Sequence, residues 1–93
     1  MEIESITHNA LRKMFTTGLT KGVIEHRRVI NMLQYIVGAG SFDELACPSN
    51  FGFHPLSGER AGTFAMTVTK NWRLTFTMVD ETTIADLDLE DYH

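Results

Sequence analysis

With 93 residues, 43% of them hydrophobic and 22% charged, the chain has the make-up of one globular domain over 1–93, and disordered or fibrous classes are excluded. Its net charge of −4 is unevenly divided: residues 1–73 hold all 8 Lys and Arg against 6 acids, and residues 74–93 hold 6 acids and no base. A nucleic-acid ligand would have to be drawn by a local basic patch, because the overall field is repulsive. The one cysteine, Cys47, has no internal disulfide partner, and no basic segment with an apolar core opens the chain, so a cytoplasmic protein is expected. No apolar run approaches the roughly 20 residues that span a bilayer.

In chain order, Ile3 and Ile6 among polar neighbours suggest a short edge strand. From His8 or Asn9, the residues Ala10, Leu11, Met14 and Phe15 recur at helical spacing, with Asn9 as N-cap and Gly18 as stop. A second helix is predicted over Val23 to Val37, with Val29, Ile30, Leu33, Ile36 and Val37 on one stripe and Gly38 and Gly40 beyond it. Ser41 followed three residues later by Glu44 has capping-box spacing and predicts one helical turn before Pro48. The segment 49–62 is rich in turn residues yet carries aromatics, His54 and Arg60, a mixture typical of a site loop.

The C-terminal half has a different period. Trp72, Leu74, Phe76 and Met78 alternate with Arg73, Thr75, Thr77 and Val79, the two-residue rhythm of a half-buried strand. Phe64, Met66 and Val68 form a similar run before it, joined through a tight turn at Lys70-Asn71, and Ala85, Leu87 and Leu89 alternate with acids after it. The predicted fold is therefore α+β, with two N-terminal helices packed on a small antiparallel β-sheet.

Several short motifs, in this order and spacing, resemble the HigB-type toxins of the RelE/ParE superfamily, the plasmid maintenance killer proteins. They are Phe15-Thr16-Thr17-Gly18, Phe53-His54-Pro55-Leu56 with Gly58 and Arg60, Gly62 before the hairpin, Asn71-Trp72-Arg73-Leu74-Thr75-Phe76, and the terminal Asp91-Tyr92-His93. The resemblance runs almost end to end. It implies a RelE-like fold and a ribosome-dependent endoribonuclease that cuts translated messenger RNA, held inactive by a HigA-type helix-turn-helix antitoxin. It also implies that RNA cleavage falls to His54, Arg73, Asp91, Tyr92 and His93.

Those residue types suit the chemistry. Metal-free RNA cleavage needs a base for the 2′-hydroxyl proton, an acid for the leaving oxygen and a cation against the phosphate charge that develops. Histidine can serve as base or acid near neutrality, and the guanidinium fork of Arg73 matches phosphate better than an ammonium would. Arg27, Arg28, Arg60 and Lys70 are candidates to grip the RNA backbone. Each residue also has a plainer reading: a structural histidine, a salt bridge from Arg73 to Asp86 or Asp88, a solvated helix face at Arg27-Arg28, a fraying terminus. His54, Asp91 and His93 lack paired metal-ligand spacing, so neither a metal nor a cofactor is expected.

Regular alternation would place Asp91 and His93 on one face of the last strand and Tyr92 on the other, which requires a bulge or twist for all three to meet one substrate. The chain departs from its look-alikes at Ser57, where many have lysine, and at Glu90, where an apolar residue is usual. Both changes remove positive or add negative charge, and weak activity on free RNA is expected. Two other functions remain open on sequence: a non-catalytic inhibitor of DNA gyrase like the ParE branch, and a decayed toxin that only binds its antitoxin.

Overall fold

The chain runs β1 (Glu2–Ile3), α1 (Asn9–Thr17), α2 (His26–Gly38), α3 (Phe42–Leu45), β2 (His54–Pro55), a 3-10 turn (Gly58–Arg60), β3 (Thr63–Thr67), β4 (Trp72–Asp80) and β5 (Thr83–Asp91). This computed structural model describes residues 1–92, so His93 lies outside the described residues. The helices and the expected meander β3-β4-β5 form an α+β architecture, with sheet order β1-β5-β4-β3-β2. The sheet is mixed where a purely antiparallel one was expected: β1 joins β5 in parallel, with Glu2 opposite Thr83 and Ile3 opposite Ile84. Parallel neighbours need a long connection, and here the helical layer and the meander intervene between β1 and β5.

Strand β2 was not expected from the sequence. It is two residues long and contains Pro55, which lacks an N–H and is tolerated because β2 lies at the sheet edge. Its pairing, His54 to Ala65 and Pro55 to Phe64, takes His54 out of the loop and fixes it to the sheet.

Helix α1 begins one residue from the expected cap. His8 is the N-cap, its Nδ1 accepting from the backbone N–H of Leu11 at 3.1 Å, while Asn9 is the first helical residue. Gly18 stops the helix as expected, at φ 81 with its N–H donating to the Met14 carbonyl. Helix α2 starts at His26, later than predicted, because Glu25 has φ 48 and Val23 belongs to the preceding turn. Ser41 caps α3 as the spacing implied, accepting from the N–H of Glu44.

One face of the sheet packs against the helices. Leu11, Met14, Val29, Met32 and Ile36 close over Met66, Leu74, Phe76, Ile84, Leu87 and Leu89, and Phe42, Phe53 and Phe64 extend this core toward β2. Phe64 lies 4.9 Å from Phe42 and 5.5 Å from Phe53 between ring centres, so the segment before His54 is anchored through its neighbour. Phe76 is wholly buried, and truncating it to alanine costs about 3–5 kcal/mol by analogy with similar core sites.

The turn between β3 and β4 uses Lys70 and Asn71, and the N–H groups of Val68 and Thr69 both donate to the Trp72 carbonyl, which makes a bulge. A second irregularity decides the face presented by the chain's end. Thr75 pairs with Asp88 and Thr77 with Ala85, so Asp86 and Leu87 stand opposite Phe76 alone. Asp86 takes φ 52, a left-handed conformation that aspartate tolerates better than most residues. The extra residue shifts the alternation: Ile84, Leu87 and Leu89 are all buried although the first step is odd.

Candidate active site on the open face of the sheet

The face of the sheet away from the helices carries the polar half of each alternating strand. Two rows across it follow from the register. In one, Thr67, Arg73 and Glu90 stand side by side, and in the other His54, Ala65, Thr75 and Asp88 do. Neighbouring strands are about 4.8 Å apart, so His54 lies about 10 Å across the sheet from Thr75. The floor between them is made of Ala65 and Thr75, both buried.

His54 is half-buried and its Nδ1 lies 2.8 Å from the Gly52 carbonyl. A carbonyl only accepts, so this contact holds the hydrogen on Nδ1, and Nε2, which has no partner among the described residues, is left for proton exchange. Gly52, with φ 66, also lies against Thr67: a Cβ there would approach Thr67 Oγ1 to 3.2 Å. The Thr67 hydroxyl in turn is 3.5 Å from that of Tyr92.

Tyr92 follows β5 and is tied back by its N–H, which donates to the Asn71 carbonyl at 2.9 Å. Its ring covers the Arg73 guanidinium at 4.8 Å from the ring centre. The Arg73 side chain is only 16% exposed, and its Nε is buried with no hydrogen-bond partner among the described residues.

The partner of Arg73 is Glu90, where Asp86 or Asp88 had been the candidates. The register of β4 with β5, carried through the bulge at Asp86, places Glu90 beside Arg73. Glu90 is nevertheless bound chiefly to Arg60, whose Nη1 and Nη2 donate to Oε1 and Oε2 at 2.6 and 2.7 Å, and it also accepts from the Thr75 hydroxyl. Arg73 Nη2 reaches Glu90 Oε1 only at 3.9 Å. The fork to Arg60, with smaller help from Thr75 and the charge of Arg73, brings the Glu90 carboxyl down from 4.5 to about 2. The same pairing raises the Arg60 guanidinium further above its ordinary value. The negative charge at Glu90 is thus neutralised inside the site.

Of the sequence-derived candidates, the structure brings His54, Arg73 and Tyr92 to one face, with Arg60 above them on the 3-10 turn that follows Ser57. Asp91 is exposed, pairs in register with Trp72 and alternates onto the other face of β5 from Glu90. His93 is outside the described residues. Lys70 is exposed at the same sheet end, in the turn whose Asn71 holds Tyr92. Arg28 donates to the Thr67 carbonyl at 3.3 Å and lies over the Phe51 ring at 5.3 Å, adjoining the site, while Arg27 is exposed on α2. Thr75 and Glu90 were not among the candidates; the two-residue spacing from Arg73 along β4 is the signal for Thr75, and cross-strand register with Arg73 is the signal for Glu90.

An apolar groove lies elsewhere, between α1 and α2, lined by Met14, Phe15, Ile30, Leu33 and Val37 and without an ionisable group. Among the described residues no three His, Cys, Asp or Glu side chains are placed to hold a metal ion, and no helix is long and apolar enough to cross a membrane.

The chain is similar to endoribonuclease HigB of Proteus vulgaris, with 37% identity over 93 residues, covering 98% of this chain and 99% of that protein. It belongs to the HigB family. No family model matches the chain. The mixed sheet with helices on one face agrees with the RelE-like fold expected of HigB relatives.

Proposed function

We propose that this protein is the toxin of a type II toxin–antitoxin pair and an endoribonuclease that cleaves messenger RNA while it is translated. The observation that carries this reading is the meeting of His54, Arg73 and Tyr92 on one open sheet face, in a chain similar over its length to an endoribonuclease.

The chemistry is transfer of the RNA phosphate to the neighbouring 2′-oxygen. The 2′-hydroxyl loses its proton, the 2′-oxygen bonds to phosphorus, and the 5′-oxygen leaves with a proton from the acid. His54 Nε2, left open by the Nδ1 contact to Gly52, is placed on this face to take or give the proton. Arg73, partly desolvated and held under Tyr92, meets the charge that builds on the phosphate oxygens. Tyr92 offers a hydroxyl and a ring edge to a nucleotide. Asp91 and His93 are assigned the remaining proton traffic.

Arg28, Arg60 and Lys70 adjoin this face, and Arg27, next to Arg28 and exposed on α2, is a further candidate to grip the RNA backbone. With acids close by, free RNA is a poor substrate and the ribosome supplies the positioning. The partners are the ribosome with its messenger RNA and a HigA-type antitoxin, and the location is the cytoplasm. Expression of the wild type and of His54→Ala, with growth and messenger RNA 5′ ends followed together, tests the proposal: it requires new ends inside coding regions that the variant does not produce.

A further inference from the structure

The open face contains a complete anion seat whose occupant is a side chain of the protein itself. Arg60 gives Glu90 a two-pronged contact, the Thr75 hydroxyl gives a further hydrogen bond, and Arg73 stands behind at 3.9 Å. Two guanidinium groups and a hydroxyl converging on two oxygens is the arrangement that binds a phosphate diester, whose two non-bridging oxygens have the spacing and charge of a carboxylate. We propose that the Arg60–Arg73–Thr75 seat is the RNA phosphate site and that Glu90 fills it in the free protein, so that RNA binds by displacing Glu90. The inference rests on the RNA-cleaving function proposed above and identifies the group that RNA must remove.

Three observations carry it. Thr75 is 1% exposed, a hydroxyl kept under the carboxylate in the middle of a strand where an apolar residue would pack without a polar group to satisfy. Arg73 is underserved by its present partner: Nη2 has only the long contact, and Nε is buried without a partner among the described residues. A tetrahedral phosphate with its bridging oxygens offers more acceptors than a carboxylate and can serve both arginines together. Finally, the Arg60 side chain is 43% exposed and Glu90 21%, so the pair lies at the surface, where Glu90 can swing out to solvent without moving the strand.

The test uses the full chain and a short RNA methylated at every 2′-oxygen, which cannot be cleaved, with affinity read by fluorescence anisotropy over a range of salt. Glu90→Gln is expected to bind at least about 10-fold more tightly than wild type, with a salt slope steeper by about 0.7 for each further phosphate that the protein neutralises. Asp43→Asn, an equal charge change on α3, sets the baseline for a general loss of negative charge. Arg60→Gln added to Glu90→Gln is expected to abolish most of the improvement. Glu90→Ala must show the same order of affinities, and it replaces Glu90→Gln if that variant lacks the native circular dichroism.

The inference is overturned if Glu90→Gln binds no better than Asp43→Asn, or if its tighter binding survives loss of Arg60. Tighter binding by Glu90→Gln that depends on Arg60, in a protein that produces no cleavage ends in cells, keeps the phosphate seat and removes the nuclease. Cleavage ends from a wild type whose RNA affinity is indifferent to Glu90 keep the nuclease and remove the seat.

Discussion

The guanidinium of Arg73 is roofed by the ring of Tyr92, 4.8 Å from the ring centre. The contact joins an interior strand of the sheet to the residue just past its last strand, and it is held by the Tyr92 N–H to Asn71 and by the Thr67 hydroxyl beneath the phenol. A stacked cation of this kind is worth about 0.5–2 kcal/mol and, more usefully, removes rotamer freedom from Arg73.

Tyr92 therefore acts partly by holding Arg73. Tyr92→Phe keeps the ring and is expected to retain most cleavage, whereas Tyr92→Ala frees the guanidinium and is expected to lose about 10-fold or more. Arg73→Lys keeps the charge but neither the planar stack nor the fork, and it is expected to behave nearly like Arg73→Ala. Single-turnover cleavage on translating ribosomes separates these cases.

Glu90 makes stability depend on acid. Its carboxyl titrates at about 2 in the folded protein and at 4.5 when unconstrained, so the unfolded chain binds the proton first as pH falls. The stabilisation is complete above about pH 4.5 and is lost as pH falls toward 2. Thermal midpoints of wild type and Glu90→Gln are expected to differ most above that window and to converge as the pH is lowered through it. A difference that stays constant over the window contradicts the pairing.

Asp86 sets which side chains reach the open face. At φ 52 it is the extra residue of the bulge, and the residues after it alternate in the phase that brings Glu90 beside Arg73. Asp86→Gly is expected to change stability by less than about 0.5 kcal/mol, since relief of strain offsets the Thr77 hydroxyl contact at 3.3 Å. Asp86→Val, β-branched in a left-handed conformation, is expected to cost about 1–2 kcal/mol, read by chemical denaturation.

The elements with a long, clean period were legible in the sequence. Trp72 to Val79 announced β4, the stripe through Val29, Leu33 and Ile36 announced α2, and the Ser41–Glu44 spacing announced α3. The elements that escaped are set by pairing and not by local pattern. His54-Pro55 is too short to show a period and is a strand only because β3 lies beside it. The parallel attachment of β1 depends on a partner at the other end of the chain.

The candidate site was legible as residue types, since His54, Arg73 and Tyr92 stood out beside their motifs. Its electrostatics were not. Arg73 could be matched to Asp86 or Asp88 only by guessing a register, and the bulge at Asp86, invisible in an acid-apolar alternation, decides the face of everything after it. Arg60 is far from Glu90 in sequence, and their fork appears only when the 3-10 turn is placed over the sheet.

His54 is the proton carrier in this account, and its replacement tests the central claim most directly. Wild type and His54→Ala, matched in expression and thermal midpoint, are compared for messenger RNA 5′ ends within translated codons. A positioned general acid or base is typically worth about 10²–10⁴-fold, and a loss of that size in new ends is the predicted result. Ends that persist in His54→Ala at the wild-type level would contradict the account, and growth arrest by the wild type without such ends would contradict the nuclease itself.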